Sequence, residues 1–259
     1  MIINKAFSTD DEPKSLKIDS GVTINIGSNV VVEPGVVIGY DSIQKPREPY
    51  KSVVNIGDNT IIRSGSIIYV GVTIGNNCMI NHNVILRENT VIGDYTTIGD
   101  FTKCEGNTVI GSHTSIWTHS HLTAFMTIGD HVFIGPMFLT LNDPLMGYHR
   151  SVIQNLREVD SKFDICGPRI DDGVRIGGGV IVMPHVAIES NAVIGAGAVV
   201  TKDVEAGDII VSSVAGQVRG NVYQTVPEDY GFNNTDCHGV GRHFGFIEPD
   251  IQDGLEDAE

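Results

Sequence analysis

The chain has 259 residues, which is long enough to bury a substantial apolar core without the disulfides or metals that small proteins need. Its aliphatic residues are 32 Ile and 30 Val against 8 Leu, and because β-branched side chains favour strands, a helical bundle is excluded. A formal net charge of −15 at pH 7 makes nucleic acid and anionic membranes unfavourable partners.

The first residues and the cysteines bear on the compartment. Asp10, Asp11 and Glu12 stand where a secretory signal has a basic end followed by an apolar stretch. No apolar run approaches the roughly 18 residues that a membrane-spanning helix needs. The 4 cysteines include no C-x-x-C pair. We therefore expect a cytoplasmic protein with free thiols.

A repeat of six residues runs through most of the chain. Every sixth position from Ile56 to Ile134 is Ile or Leu in thirteen of fourteen cases, and the position four residues further on is mostly small or β-branched. The same phase returns from Ile170 to Val200, and a shorter run begins at Ile26. We number each hexad from its large aliphatic residue, so that positions 1 and 5 point inward and positions 2 to 4 form a corner rich in Gly, Asp and Asn.

Three hexads close one coil of 18 residues, and stacked coils bury the aliphatic column. The repeat therefore predicts an all-β fold, a parallel β-helix of hexapeptide repeats over residues 1–205. A C-terminal extension, residues 206–259, follows and ends in the acidic segment 224–259.

Two segments, 40–52 and 142–168, interrupt the repeat without changing its phase. Both carry basic residues, among them Arg47 and Arg157, although the protein is acidic. Long loops in a compact fold are usually lids or binding loops, and a solvated surface insertion is the alternative.

The histidines separate by their hexad position. Four of them take position 4, where a positive φ is often needed, and we interpret them as structural corner residues: His113, His119, His131 and His185. His82 takes position 3, and Asp100 stands at the same position 18 residues later, one coil away. A carboxylate that binds one imidazole nitrogen leaves the other nitrogen as a base. We therefore predict His82 as a general base that Asp100 orients, with a solvated corner histidine as the alternative.

Several segments resemble the hexapeptide-repeat acyltransferases, and the nucleotide-sugar N-acyltransferases in particular: 80–84 (INHNV), 87–88 (RE), 115–117 (SIW), 142–144 (NDP) and 194–204 (IGAGAVVTKDV). The resemblance implies a left-handed parallel β-helix and a homotrimer. It also implies transfer of an acyl group from acetyl-CoA or another acyl-CoA to the amino group of a nucleotide-linked deoxy-amino sugar, with no metal. Some relatives carry Asn at the position of His82, where the amine releases its own proton.

The resemblance also suggests roles for individual residues. Gly178 and Ala196, one coil apart, are expected along the pantetheine arm of CoA, with Lys202 and Arg219 near its phosphates. The residues expected at the acceptor are Asn81, Arg87, Glu88, Asn142 and Asp143.

Two other function classes remain open at this point. A γ-class carbonic anhydrase shares the fold, but it needs a histidine pair five residues apart, whereas His113, His119 and His121 are separated by six and two. A β-helix without chemistry, acting as a scaffold, is the second alternative.

Overall fold

The structure is a computed structural model that describes residues 7–9, 14–17, 21–41, 53–146 and 165–212. Most of both predicted loops, Arg219 and the acidic segment 224–259 lie outside these residues. The division into a helix and a C-terminal extension therefore stays a prediction.

The described residues form short strands joined by tight corners. In chain order the first are β1 (Phe7–Ser8), β2 (Lys14–Lys17), β3 (Thr23–Ile26), β4 (Val31–Val32), β5 (Val37–Tyr40), β6 (Val53–Ile56), β7 (Ile61–Ile62), β8 (Ile67–Tyr69) and β9 (Thr73–Ile74). They are followed by β10 (Met79–Ile80), β11 (Ile85–Leu86), β12 (Val91–Ile92), β13 (Thr97–Ile98), β14 (Lys103–Cys104), β15 (Val109–Ile110), β16 (Ser115–Ile116), β17 (His121–Leu122) and β18 (Thr127–Ile128). The last are β19 (Phe133–Ile134), β20 (Leu139–Thr140), β21 (Arg169–Ile170), β22 (Arg175–Ile176), β23 (Ile181–Val182), β24 (Ala187–Ile188), β25 (Val193–Ile194), β26 (Val199–Val200) and β27 (Ile209–Ile210).

Every third strand pairs with its successor, which gives three sheets. Sheet 1 has the order β2-β3-β6-β9-β12-β15-β18-β21-β24, sheet 2 the order β1-β4-β7-β10-β13-β16-β19-β22-β25-β27, and sheet 3 the order β5-β8-β11-β14-β17-β20-β23-β26. Corners 1, 2 and 3 are the turns that follow the strands of sheets 1, 2 and 3. The predicted fold class, an all-β left-handed parallel β-helix of hexapeptide repeats, is confirmed.

The core consists of the inward residues that the repeat predicts. All fourteen position-1 residues from Ile56 to Ile134 are buried, and so are the fourteen position-5 residues from Thr60 to Phe138. Phase is also kept across the second loop, because Thr127 pairs with Arg169 and Ile128 with Ile170. Many position-5 residues are Thr, and their buried hydroxyls are satisfied: Thr96 Oγ1 donates to Gly111 O at 2.7 Å and accepts from Thr114 N at 3.2 Å.

The four position-4 histidines have the backbone conformation that the sequence predicts. Their φ angles lie between 56° and 63°, in the left-handed region. The rings of His113 and His131 stack at 4.8 Å, and His113 stacks on Tyr95 at the same spacing. Their prediction as corner residues is confirmed. His113 lies in corner 1 and His119 in corner 2, whereas His121 lies on a strand of sheet 3.

Two features at the ends of the helix were not predicted from the sequence. Strands β1 and β2 run antiparallel to β4 and β3, so they cover the first edge of the helix, which is otherwise open to strand pairing. At the other end β27 pairs in parallel with β25 after a turn at Gly207, whose φ is 74°.

Over the described residues, no helix is long and apolar enough to cross a membrane.

Candidate active site

Four predicted site residues lie in one column at corner 2. The register of sheet 2 pairs Ile80 with Ile98 and Ile176 with Ile194, so the position-3 residues that follow these strands stack coil upon coil. The column contains His82, Asp100, Thr118, Pro136, Gly178 and Ala196. At roughly 4.8 Å per coil, Gly178 lies about 19 Å and Ala196 about 24 Å along the helix axis from His82. The small residues leave the column open toward its far end.

The His82 ring is half exposed and points back toward the preceding coils. Its Nδ1 lies 2.9 Å from Ser64 Oγ and 3.9 Å from Glu33 Oε2. Glu33 also accepts from Ser64 N at 3.0 Å and from Arg63 Nη1 at 2.5 Å. The Arg63 guanidinium holds the pKa of the Glu33 carboxyl below its ordinary value. Nδ1 of His82 is therefore engaged by Ser64 and faces the Glu33 carboxylate.

Asp100 does not contact this ring in the way the sequence predicts. Its Oδ1 accepts from the backbone N of His82 at 2.9 Å. Because the imidazole points in the opposite direction along the column, the carboxylate binds the main chain and the expected orienting contact is not formed. The contacts to the ring come from Ser64 and Glu33.

The predicted acceptor residues Arg87 and Glu88 lie at corner 3, across strand β11 from His82. Arg87 Nε donates to Glu88 Oε2 at 3.0 Å, and the guanidinium lies over the Tyr69 ring at 5.6 Å from its centroid. Glu88 is 4% exposed. Arg87 and Glu88 are therefore paired, and the half-buried guanidinium lies at the edge of sheet 3, whose strand β11 connects His82 to Arg87.

Asn142 and Asp143 lie at the base of the second loop, three coils further along corner 3. Asn142 O accepts from Cys166 N at 3.0 Å, and Asn142 Nδ2 donates to Ala124 O at 3.3 Å. Asp143 Oδ1 accepts from Leu145 N at 3.0 Å. The contact with Cys166 joins the two described ends of the loop. Both residues lie three coils away from Arg87 along corner 3.

The remaining predicted residues are separated from one another. Asn81 begins corner 2 directly before His82, and its carbonyl oxygen accepts from Ser66 Oγ at 2.8 Å. Lys202 is exposed at corner 3, so it lies across β26 from Ala196 and outside the corner 2 column. Arg219 lies beyond the described residues.

A charged group on the outer face of sheet 3 was missed by the sequence analysis. Glu105 Oε1 lies 3.0 Å from Lys103 Nζ and 3.3 Å from His121 Nε2. Hydrogen bonding from His121, and then Lys103, lowers the pKa of the Glu105 carboxyl to about 2. The buried Nδ1 of His121 has no hydrogen-bond partner in the described part of the chain. The sequence does contain a sign of this group. Position 6 of the sheet 3 hexads is apolar except at Lys103 and His121, which lie one coil apart.

No group of three His, Cys, Asp or Glu residues that could hold a metal is found within the described ranges. The three histidines of the carbonic anhydrase alternative lie on corner 1, corner 2 and sheet 3, so the described structure does not support that alternative.

Two family models match the repeat. The model described as bacterial transferase hexapeptide (six repeats) matches residues 71–106 and 167–202, and the model described as hexapeptide repeat of succinyl-transferase matches residues 53–88. The chain carries the transferase hexapeptide repeat. These matches lie on the coils that hold His82, Gly178 and Ala196.

Two curated relatives are acetyltransferases by name. A Schizosaccharomyces pombe protein named as an acetyltransferase is 39% identical over 99 residues, which is 37% of this chain and 44% of that protein. Galactoside O-acetyltransferase of Escherichia coli is 35% identical over 72 residues, 26% of this chain and 36% of that enzyme. The chain thus spans less than half the length of the curated relatives it matches.

Three of the solved structures to which the chain is similar come from bacteria. UDP-N-acetylglucosamine acyltransferase of Francisella novicida is 17% identical, covers 73% of this chain and 69% of that one, and has a TM-score of 0.41. A Vibrio cholerae hexapeptide-repeat acetyltransferase complexed with acetyl-CoA is 29% identical, with 47% and 65% covered and a TM-score of 0.37. PerB of Caulobacter crescentus, in complex with CoA and GDP-perosamine, is 15% identical, with 75% and 57% covered and a TM-score of 0.30.

Proposed function

We propose that the protein is an acyl-CoA-dependent N-acyltransferase that acylates, most simply with an acetyl group, the amino group of a nucleotide-linked deoxy-amino sugar. The observation that carries this proposal is the corner 2 column, which holds an exposed imidazole and, on the same line, the small residues Gly178 and Ala196. The transferase repeat and the acetyltransferase relatives support the reaction class. The sugar nucleotide rests on the sequence motifs around Arg87 and Asn142.

In the proposed reaction the thioester carbonyl lies beside His82. The acceptor amine attacks this carbon as Nε2 of His82 takes a proton from nitrogen. The C–N bond forms, the C–S bond breaks, and the proton passes from His82 to the departing CoA thiolate. The products are the amide and free CoA thiol, and His82 returns to its neutral form.

The groups at corner 3 are assigned to the acceptor in this proposal. Arg87 is held by Glu88 and Tyr69 at the edge of the sheet 3 face, and the second loop leaves the helix at Asn142 on the same corner. Ionised Arg and Lys groups are suited to phosphate oxygens. The acceptor then lies across the outer face of sheet 3 from His82 to corner 3.

A second candidate is transfer of the acetyl group to a sugar hydroxyl. The observation that favours it is the 35% identity with galactoside O-acetyltransferase. A hydroxyl is a weaker nucleophile than an amine, so a base at the position of His82 is at least as necessary for this reaction.

The test is an assay of free thiol release from acetyl-CoA. The full chain is incubated with acetyl-CoA and, separately, with UDP-, dTDP- and GDP-linked amino sugars and with galactosides, and products are identified by mass spectrometry. Thiol release matched by an acylated amine is the expected result. Release matched only by an acylated hydroxyl supports the second candidate, and release no faster than the acceptor-free blank contradicts both.

The homotrimer is also proposed from the resemblance. Static light scattering at micromolar concentration should give three times the chain mass of 27.9 kDa. A monomeric mass would contradict any site shared between subunits.

A further inference from the structure

A chain of polar contacts reaches the His82 ring from the two preceding coils of corner 2. Arg63 Nη1 donates to Glu33 Oε1 at 2.5 Å, and Ser64 N donates to Glu33 Oε2 at 3.0 Å. Ser64 Oγ then lies 2.9 Å from His82 Nδ1, and Glu33 Oε2 lies 3.9 Å from the same nitrogen. The Glu33 carboxylate therefore lies close to both Ser64 and the Nδ1 side of the His82 ring.

We propose that Glu33 and Ser64 are the positioning residues of His82, and that they hold the proton on Nδ1 so that Nε2 carries the lone pair. This inference rests on the proposed function of His82 as the base. It replaces Asp100 in the positioning role.

The charges around the ring determine which nitrogen is protonated. A neutral imidazole has one N–H, and its position is set by the group that the other nitrogen faces. A carboxylate near Nδ1 stabilises a proton there, and Ser64 Oγ can accept it because the hydroxyl rotates freely. Arg63 keeps Glu33 ionised through their ion pair. Asp100 is the other charged residue that contacts His82, and its carboxylate accepts from the backbone N of His82.

The arrangement is specific to this coil. At position 2 of corner 2, Glu33 is the only acid among the described coils, and at position 3 of the same corner His82 is the only imidazole. The first loop enlarges the spacing between Glu33 and Arg63 to 30 residues, yet the two side chains remain in register. A surface ion pair of this kind is worth little to stability, which makes a role in the chemistry a better account of the contact.

Three variants test the proposal. Glu33→Gln keeps an oxygen for Ser64 N but removes the negative charge, Ser64→Ala removes the hydroxyl, and Ser64→Thr restores it. Asp94→Asn is the matched control, because it makes the same loss of charge at a corner far from His82. Thermal unfolding of each variant checks that the helix is intact.

The first readout is kinetic. Ser64→Ala is expected to lower kcat roughly tenfold, less than the roughly 10² to 10⁴ of losing the base itself, with KM for acetyl-CoA unchanged and the loss recovered in Ser64→Thr. In Glu33→Gln a fall in kcat of similar size is expected, again with KM for acetyl-CoA unchanged, because no carboxylate then stabilises the proton on Nδ1. A Glu33→Gln enzyme that keeps the kcat of the parent overturns the role of Glu33.

The second readout does not depend on turnover. Nitrogen NMR of the protein labelled with ¹⁵N-histidine, with the His82 signals assigned by their loss in His82→Asn, reports which nitrogen carries the proton. We expect the Nδ1–H form in the parent and a mixture of tautomers in Glu33→Gln and Ser64→Ala. An Nε2–H form in the parent overturns the proposal. If the tautomer behaves as expected but no acceptor is acylated, the positioning inference stands and the proposed function fails.

Discussion

Corners 1 and 2 are built from the same hexad, but corner 1 repeats its residues more regularly than corner 2 does. In corner 1, position 2 is Gly in six successive coils, from residue 27 to residue 129, and position 3 is Ser, Asp or Asn in every described coil. In corner 2, position 2 is Gly in four of the eight coils from residue 33 to residue 195, and the other four carry Glu33, Arg63, Asn81 and Trp117; position 3 includes His82. A residue type that repeats at the same corner position is explained by the backbone geometry of the turn. Departures from the repeat are expected mainly at functional sites.

The hydrogen bond of Asp100 in corner 2 is the same as the one that position-3 residues make in corner 1. In corner 1 a position-3 oxygen accepts the backbone N–H one coil earlier, as Asp94 Oδ1 does from Asn76 N at 2.7 Å and Asp130 Oδ1 does from Ser112 N at 2.6 Å. Asp100 makes the same contact to His82 N in corner 2. Its role is therefore the one that corner 1 repeats, and the residues peculiar to corner 2 are Glu33 and Ser64 around the ring.

The largest expected effect comes from removing the group that makes corner 2 different. His82→Asn, which introduces a residue common in corner 1, should lower kcat by roughly 10² to 10⁴, because general-base catalysis typically contributes that much. Binding of acyl-CoA should be nearly unchanged, since the rest of the column is intact. The measurement is steady-state kinetics with calorimetric titration of CoA, and His113→Asn in corner 1 is the control. A His82→Asn enzyme with most of its kcat would mean that the amine arrives already deprotonated.

The period of six was enough to predict the columns and the inward residues, because a residue's hexad position determines which face it takes. It also predicted the positive φ of His113 and the stacking of Gly178 under Ala196. It could not predict the partner of His82. The repeat shows which residues stack on one another, but the direction of the His82 ring depends on its side-chain rotamer. In addition, Glu33 occupies a different hexad position and is separated from His82 in the chain by the first loop.

The next effect concerns the glycine column of corner 1. A Cβ on residue 93 would lie 2.5 Å from Ser112 Oγ and 2.7 Å from Gly111 C, so Gly93→Ala forces two coils apart. We expect a loss of about 1–3 kcal/mol in the free energy of unfolding, the usual range for overpacking. Denaturant unfolding measures it, and kcat per folded molecule should not change.

The matched control for this substitution is at the same hexad position in corner 2. In Gly195→Ala the nearest atom, Ile210 O, is 3.2 Å from the new Cβ, and the last coil can adjust. Its cost should be smaller than that of Gly93→Ala. Equal costs at the two sites would show that the close approach of the next coil at residue 93 does not determine the cost of the added Cβ.

A smaller effect is expected on sheet 3, where Lys103 and His121 interrupt an apolar column. Because the pKa of Glu105 is lowered to about 2 in the folded state, its ionised form adds stability above its ordinary pKa, and this contribution disappears as the pH falls toward 2. Glu105→Gln should therefore cost about 1 kcal/mol at pH 7, the upper range for a partly exposed ion pair, and less at pH 3.

Urea unfolding at the two pH values measures this difference, with the exposed Glu205→Gln as the control for a change in net charge. A cost for Glu105→Gln that is equal at pH 7 and pH 3 would mean that the hydrogen bonds, and not the ionised carboxylate, account for the contribution of Glu105.

The smallest effect is expected for Asp100→Asn, and it is the sharpest comparison between the corners. An Asn side chain keeps the Oδ1 that accepts His82 N, as Asn76 does for Asp58 N at 2.8 Å in corner 1. The unfolding free energy should change by no more than a few tenths of a kcal/mol, whereas Asp100→Ala removes the acceptor and should cost about 1 kcal/mol, the usual net value of a hydrogen bond. Both quantities come from the same denaturant titrations, and kcat is measured in parallel. If Asp100→Asn keeps its stability but loses kcat by tenfold or more, the negative charge of Asp100 acts on the imidazole, and corner 2 uses this aspartate differently from corner 1.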